Sequence, residues 1–375
     1  MSATVLLMFA VGVRQGRMKA PGNPAYAFYH CMSRIVDRRF LLEEGERDQF
    51  EKFMDEYARF CGITVLTHCV MNNHFHLLLL VPKAPETPLS DEELLTRIEA
   101  LSGSPGSKAT RQQLELFRQR DQPQAAEALR QRFLVRMWDL SSFMKSLKQR
   151  FSQWYNKTHD RRGTLWEGRF KSLLVQSEGD ALAAMAAYID LNSLRAGLTE
   201  DPATYRWCGY ARACQGDIAA QQSLRRVIAG AQRVDPQTLS LQQALDQYRC
   251  WLMVKGEQNE GTDAQGRPLR RGFSPEAVLE VLRHKGRVAL NDYVQLRVRY
   301  FVDGLVMGSR AYINEVFEKA RHRFGPKRKD GARRMRGVES KELYVLRDLK
   351  RDPISRPAVL GPAEGASSGR GPPSG

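Results

Sequence analysis

Residues 72–80, Asn-Asn-His-Phe-His-Leu-Leu-Leu-Leu, constrain this chain more than any other stretch. They read as an apolar strand that opens with two histidines one residue apart and ends at Pro82. Just before them, Ile63 to Met71 is β-branched and strand-like, and Asn72-Asn73 between the two runs is a turn signal. The pair therefore predicts an antiparallel hairpin. Alternate side chains of a strand share a face, so His74 and His76 point one way and Phe75 the other. Neutral imidazole is the commonest protein ligand for metals, which makes the two histidines a natural half of a metal site. Two solvated strand-end histidines are the competing reading, and the pair alone does not decide between them.

Around this hairpin the chain alternates strands and helices. Ala25 to Val36 reads as a first strand, with Tyr26, Phe28 and His30 alternating against Ala27, Tyr29 and Cys31. Glu43 to Phe60 carries Phe50, Phe53, Met54, Tyr57 and Ala58 at helical spacing and closes at Gly62. Residues 84–136 are rich in Gln, Arg, Glu and Leu and are broken at Gly103-Ser104-Pro105-Gly106, as an inserted helical hairpin would be. Trp138 to His159 is a helix with Phe143, Leu147, Phe151, Trp154 and Tyr155 as its buried stripe. Ser172 to Gln176 is a short strand. Asp180 to Gly197 is a helix with Leu182, Met185, Ala186 and Ile189 in its core stripe, and Tyr188 and Asn192 on a flank about 90° away. The order of elements predicts an α+β sandwich.

The net charge of +16 over 375 residues points to an acidic partner, nucleic acid first among them. Cations cluster with aromatics on the helix at 138–159 and in the loop 161–171. Such mixtures suit single-stranded nucleic acid, where cations hold phosphates and aromatics stack on bases. Lys145, Lys148, Arg150, Arg162, Arg169 and Lys171 are the candidates for holding DNA. Trp166 and Phe170 as plain core residues are the competing reading. The six cysteines form no Cys-x-x-Cys pair, which fits free thiols in a reducing cytoplasm. Nothing approaches the ~20 apolar residues of a membrane span.

Towards the end, residues 216–272 read as helical and then as a linker. Residues 273–350 read as a small, basic, all-α domain. Ser274-Pro275-Glu276 is a helix start, and helices at Tyr293–Val302 and Ser309–Phe324 would make a helix-turn-helix-like DNA reader. A solvated basic tail is the alternative there. Residues 351–375 have a disordered composition. At the other end, Val5 to Val13 is a poor signal peptide, so residues 1–17 are expected to be a non-structural extension with Met18 as the working start.

Five ordered blocks together resemble the single-tyrosine HUH transposases (the insertion-sequence 200-like transposase domain), and most closely their REP-associated branch. The blocks are Tyr29–Arg34, Val70–Leu78, Phe143–Phe151, Gly163–Ser172 and Tyr188–Gly197, and the likeness spans roughly residues 23–212. It implies a catalytic domain at 18–215 with the ferredoxin-like fold of HUH endonucleases, an antiparallel sheet with helices mainly on one face. It also implies Tyr188 as nucleophile, and His74, His76 and Asn192 as ligands of Mg²⁺ or Mn²⁺. Ser193 departs from the family, which commonly has proline after the asparagine, and so does Asp190.

What the resemblance implies is a transposase that cleaves and rejoins single-stranded or hairpin DNA through a 5′-phosphotyrosine. Its location would be the bacterial cytoplasm, at the nucleoid. A homodimer with exchanged tyrosines and a monomer are both open. The rival reading is a domesticated, non-catalytic DNA-binding regulator at repeat hairpins. A zinc hydrolase is disfavoured, because the sequence offers neither a third histidine at ligand spacing nor a paired carboxylate.

Overall fold

In a computed structural model, which describes residues 16–256, 301, 304–334 and 343–346, the hairpin is the middle of a larger sheet. β1 (Tyr26–Arg34), β2 (Thr64–Val70), β3 (His74–Pro82), β4 (Lys171–Val175), β5 (Val306–Gly308), β6 (Arg333–Arg334) and β7 (Tyr344–Val345) run in the order β2-β3-β1-β4-β5-β7-β6. All neighbours are antiparallel except β4 and β5. β3 is buried from Phe75 to Val81, since it has a strand on either side and helices above and below. That accounts for a run of apolar residues without polar alternation.

The first helix, α1 (Glu44–Cys61), buries Phe50, Phe53, Met54 and Tyr57 and ends at Gly62, whose φ of 67° is the left-handed C-terminal turn that glycine accepts. Next come α2 (Asp91–Gln119) and α3 (Pro123–Leu134), which fold on each other around Leu114, Ala126 and Leu129. α2 packs along α1. The Gly-Ser-Pro-Gly stretch breaks this run at Gly103, whose φ is 67° and ψ 177°, and the two halves fold back on each other as the expected hairpin: the Ser107 hydroxyl donates to the Leu95 carbonyl at 3.1 Å, and Arg118 pairs with Asp91. α4 (Leu140–Thr158) starts at Asp139, whose carboxylate accepts from the Ser142 amide at 2.7 Å.

Phe75 and Phe151 both meet Phe50, with ring centroids 4.5 and 5.4 Å away, so α1 and α4 cover the Phe75 face of the sheet. The opposite face, which carries His76, is covered by α5 (Asp180–Asp190) and α8 (Ile218–Gln232), with α9 (Leu241–Gly256) packed outside them. Between α5 and α8 the chain forms the short helices α6 (Asn192–Arg195) and α7 (Gly209–Cys214). The Tyr205–Tyr210 segment returns to the hairpin: the Tyr205 hydroxyl donates to the Val70 carbonyl at 2.8 Å, and the Trp207 indole donates to Asp48 at 2.8 Å.

Three expectations change. Helices lie on both faces of the sheet rather than mainly on one, because a sheet this apolar on both sides needs two covers. The described C-terminal residues are not all-α: β5, β7 and β6 extend the main sheet, beside the helix α10 (Arg310–Lys319). A strand, Val306–Gly308, occupies the place where a helix-turn-helix would need its turn. The other expected helices, the linker at 257–272, residues 1–15 and the terminal tail lie outside the described residues. Residues 16–18 belong to the packed molecule: Met18 is buried, and its carbonyl accepts from the Tyr29 hydroxyl at 3.1 Å. No helix among the described residues is long and apolar enough to cross a membrane.

Candidate active site

Cross-strand register builds the site. On β3, His74 faces Arg34 of β1 and His76 faces Met32, with Lys171 of β4 opposite Met32 on its other side. His76, Met32 and Lys171 therefore form one row across three strands, on one face of the sheet. His30, two residues before Met32, lies on that same face, and its ring stacks on His76 with centroids 5.1 Å apart. His74 meets His76 edge to face at 5.0 Å.

Above this row lies Tyr188 of α5. Its ring stands perpendicular to His76, with centroids 5.6 Å apart and planes at 89°, and meets His30 at 6.0 Å. One face of the tyrosine is covered by Phe301, stacked at 4.5 Å and 6°. Tyr188 is only 2% exposed, so the flank position expected from helical spacing is an interior position in the fold. Every residue from Ala181 to Asp190 is buried, because α5 is held between the sheet, α8, α9 and Phe301.

The helix expected to run from Asp180 to Gly197 is interrupted at Leu191, and Asn192 sits just beyond the break. Its amide nitrogen donates to the carbonyl oxygens of Tyr188 at 2.8 Å and Ile189 at 3.2 Å. Arg195 donates to the same Tyr188 carbonyl at 3.1 Å, with its guanidinium 5.3 Å from the centre of the tyrosine ring. Side chains thus satisfy carbonyls left without helical partners at the end of α5. Asp190 points the other way. Its buried carboxylate accepts from the Thr67 hydroxyl at 2.5 Å, from the Cys208 thiol at 3.2 Å and from the Tyr248 hydroxyl, and so anchors α5 to β2, α9 and the strand-like residues before α7.

Burial sets the protonation states. It holds His30 at about 4 against a small opposing effect of the Phe301 carbonyl. It also holds His74 at about 4, helped by Arg34. His76 is held well below the ordinary imidazole value by burial, then by His74, His30, Arg34 and Arg195. All three rings are accordingly neutral near pH 7. Burial pushes the Tyr188 phenol up to about 12, opposed by Arg195, the Asn192 hydrogen bond and Arg34.

Among the described residues no three His, Cys, Asp or Glu side chains are grouped to hold a metal. A divalent ion here would have to use His74, His76 and a carboxamide. The donor set fits one. The two imidazoles are adjacent and neutral, and Asn192 turns its nitrogen to the backbone, which leaves its oxygen available as an acceptor. Two nitrogens and one oxygen suit Mn²⁺ better than the harder Mg²⁺.

The candidate DNA-holding cations divide. Lys171 is exposed and belongs to the His76 row; Arg162 and Arg169 are exposed on the loop before it. That loop is tied to the site end of the sheet by the Glu167 amide, which donates to the Arg34 carbonyl at 2.9 Å. Lys145, Lys148 and Arg150 are on α4, in the layer over the Phe75 face, and the fold does not bring them to Tyr188. Lys148 is also buried: its ammonium donates to the Gly168 carbonyl at 2.7 Å, and burial lowers it to about 8. Trp166 is a core residue, packed against Phe50, Phe75 and Phe151.

Sequence reasoning missed His30, Arg34 and Phe301. The first two became legible only with the β1–β3 register, which sets their side chains on the His76 face. Phe301 carries no local signal, since it reaches the site from more than a hundred residues beyond Tyr188.

Comparison with known proteins gives a family model described as "Transposase IS200 like", which matches residues 25–90. These span β1, α1 and the histidine hairpin. A search of curated proteins found no match. Among solved structures, the chain is similar to a REP-associated tyrosine transposase bound to a REP hairpin, with 11% identity and a TM-score of 0.33, over 55% of this chain and 88% of that one.

Proposed function

We propose, from the premise that residues 25–90 carry the IS200-like transposase sequence, that this protein is a single-strand DNA transposase with Tyr188 as its nucleophile. The observation that carries the reading is the packing of Tyr188 against His76, brought together from positions 112 apart in the chain, at 5.6 Å between rings. A tyrosine beside two neutral imidazoles on a basic chain matches the needs of strand transfer more closely than those of hydrolysis.

In this reading His74, His76 and Asn192 hold a divalent ion, Mn²⁺ or Mg²⁺. The ion, when bound, supplies charge stabilisation on the oxygens of the scissile phosphate. Tyr188 attacks the phosphorus in line: the phenolic oxygen–phosphorus bond forms as the bond to the 3′ oxygen breaks. The phenolic proton is released and the departing 3′ oxygen takes one up. The result is a 5′-phosphotyrosine and a free 3′-hydroxyl, whose reversal rejoins DNA without an external energy source. Arg34 and Arg195 supply positive charge at the tyrosine, and Lys171, Arg169 and Arg162 hold the flanking phosphates. Only unpaired or hairpinned DNA can bring a phosphate to a residue enclosed in this way.

A second reading, a non-catalytic regulator bound at repeat hairpins, draws on the burial of Tyr188 beneath Phe301. Labelled single-stranded hairpin DNA, incubated with the protein and Mn²⁺ or Mg²⁺, separates the two. The transposase gives a DNA adduct that survives denaturation and is absent in Tyr188→Phe. Cleavage that persists in Tyr188→Phe overturns the nucleophile, and tight binding without an adduct in either metal supports the regulator.

A further inference from the structure

The two histidines of the hairpin are each hydrogen-bonded, through Nδ1, to a residue that has no part in the proposed metal site. We propose that His30 and Asn73 are positioning residues that keep the ring protons of His76 and His74 on Nδ1, so that both rings present an unprotonated Nε2 to the metal. The proposal rests on the reading of His74 and His76 as ligands, and adds what sets their ligating atoms.

The chain of partners fixes the protons. The Phe301 carbonyl lies 2.8 Å from His30 Nδ1, and a carbonyl oxygen only accepts, so that nitrogen carries a proton. His30 is 2% exposed and, among the described residues, has no carboxylate hydrogen-bonded to it, so it is the neutral ring with a bare Nε2. His30 Nε2 in turn lies 2.9 Å from His76 Nδ1. A bare nitrogen needs a donor, so His76 carries its proton on Nδ1 and has its lone pair on Nε2.

The second chain has the same sense. The Asn73 amide nitrogen donates to the Arg38 carbonyl at 3.0 Å, which turns the carboxamide oxygen to His74 Nδ1 at 2.6 Å. His74 therefore also donates from Nδ1 and exposes Nε2. Both paths end on backbone carbonyls, Phe301 for one and Arg38 for the other, and neither carbonyl can reverse its direction. Ligand histidines in metal sites are commonly held by such outer partners, whose loss lowers metal affinity about 10–100-fold.

The difference between the two paths matters for the protein as a whole. Asn73 is local to the hairpin, and Arg38 lies just beyond the end of β1. Phe301 is 271 residues from His30. The C-terminal segment thereby sets the ligating atom of His76 with its carbonyl while its ring covers Tyr188.

The test reads tautomers directly. In metal-free, ¹⁵N-histidine-labelled full-length protein, long-range ¹H–¹⁵N spectra should show His30, His74 and His76 with the proton on Nδ1, each signal assigned by its loss on substitution. His30→Leu should weaken Mn²⁺ binding, followed by electron paramagnetic resonance, about 10–100-fold. His30→Gln should restore most of it, because a carboxamide offers both an acceptor for His76 and a donor for Phe301. Asn73→Ala should weaken binding through His74. An Nε2-protonated His74 or His76 in the wild-type protein overturns the proposal, as does unchanged Mn²⁺ affinity in folded His30→Leu. If His30→Leu does not fold, the wild-type spectrum decides alone. Wild-type protein that takes up no Mn²⁺ overturns the metal reading instead, and the spectrum, recorded without metal, still decides on the relay.

Discussion

The ring of Phe301 lies flat on the ring of Tyr188, 4.5 Å between centroids and 6° from parallel, and closes one face of the tyrosine. Burial raises the Tyr188 phenol, and this ring is part of what encloses it. Replacing Phe301 with Leu keeps an apolar cover but removes the flat stack. The expected result is a Tyr188 phenol that titrates closer to the ordinary value near 10 than to 12, read by NMR of ¹³Cζ-labelled tyrosine with Tyr188→Phe as the assignment control. The lost ring pairing should cost about 0.5–1.5 kcal/mol in denaturant unfolding. A phenol that still titrates near 12 would show that Phe301 does not govern its exposure.

Burial of the three histidines has a signed consequence. A neutral buried ring binds fewer protons folded than unfolded, so stability should be full above pH 6.5 and fall as pH drops from 6.5 towards 4. Mn²⁺ affinity should stay level between pH 7 and pH 5, where ordinary imidazoles would already be lost to protons. Calorimetric titration across that range checks it; a tenfold loss of affinity between pH 7 and pH 6 would contradict these environments.

Lys148 and Lys171 should separate cleanly. Lys171 is exposed beside the site, so Lys171→Ala should weaken single-stranded DNA binding and reduce the salt slope, d log K/d log[salt], by about 0.7. Lys148 holds the loop through Gly168, so Lys148→Gln should lower stability and leave the salt slope unchanged. The lowered pKa adds a second signature. Because the folded chain gives up the Lys148 proton at about 8, wild-type stability gains a contribution as pH rises from 8 to 10.5, and Lys148→Gln should lack it. Equal salt slopes for the wild type and Lys171→Ala would sink the assignment of Lys171.

Asp190 holds the far side of α5. Its carboxyl is raised by burial, so the folded state keeps its proton to higher pH than the unfolded chain. The stability of the wild type relative to Asp190→Asn should therefore decline as pH rises from 3.8, and level off above the raised value. Paired urea denaturation curves across pH 4–8 would show this. A difference that widens with pH would contradict it.

How much of this could be read from the chain depended on distance. The hairpin was legible because His74 to Pro82 is a dense apolar run with a turn on one side and proline on the other, and α1 because its stripe and Gly62 agree. Helical spacing set Tyr188 and Asn192 on one flank, but only family likeness gave them a role, since a tyrosine beside a core stripe is most often a packing residue. Lys148 was misplaced because composition does not say which cation of a helix turns inward. The C-terminal strands were missed because each has two or three residues, too few to show alternation, and β5 joins the sheet through β4, 132 residues before it. The His30 relay needed both the register of β1 on β3 and the remote Phe301.

The central claim is that Tyr188 becomes joined to DNA, and the most direct measurement is the identity of the joined residue. The full-length protein is incubated with single-stranded hairpin DNA and Mn²⁺, denatured, and digested with protease and nuclease; the surviving nucleotide-bearing peptide is then sequenced by mass spectrometry. The prediction is a single modified peptide containing Tyr188, with the phosphate on its phenolic oxygen and the 5′ side of the DNA attached. A nucleotide carried by any other residue, or cleaved DNA with no modified peptide, would contradict it.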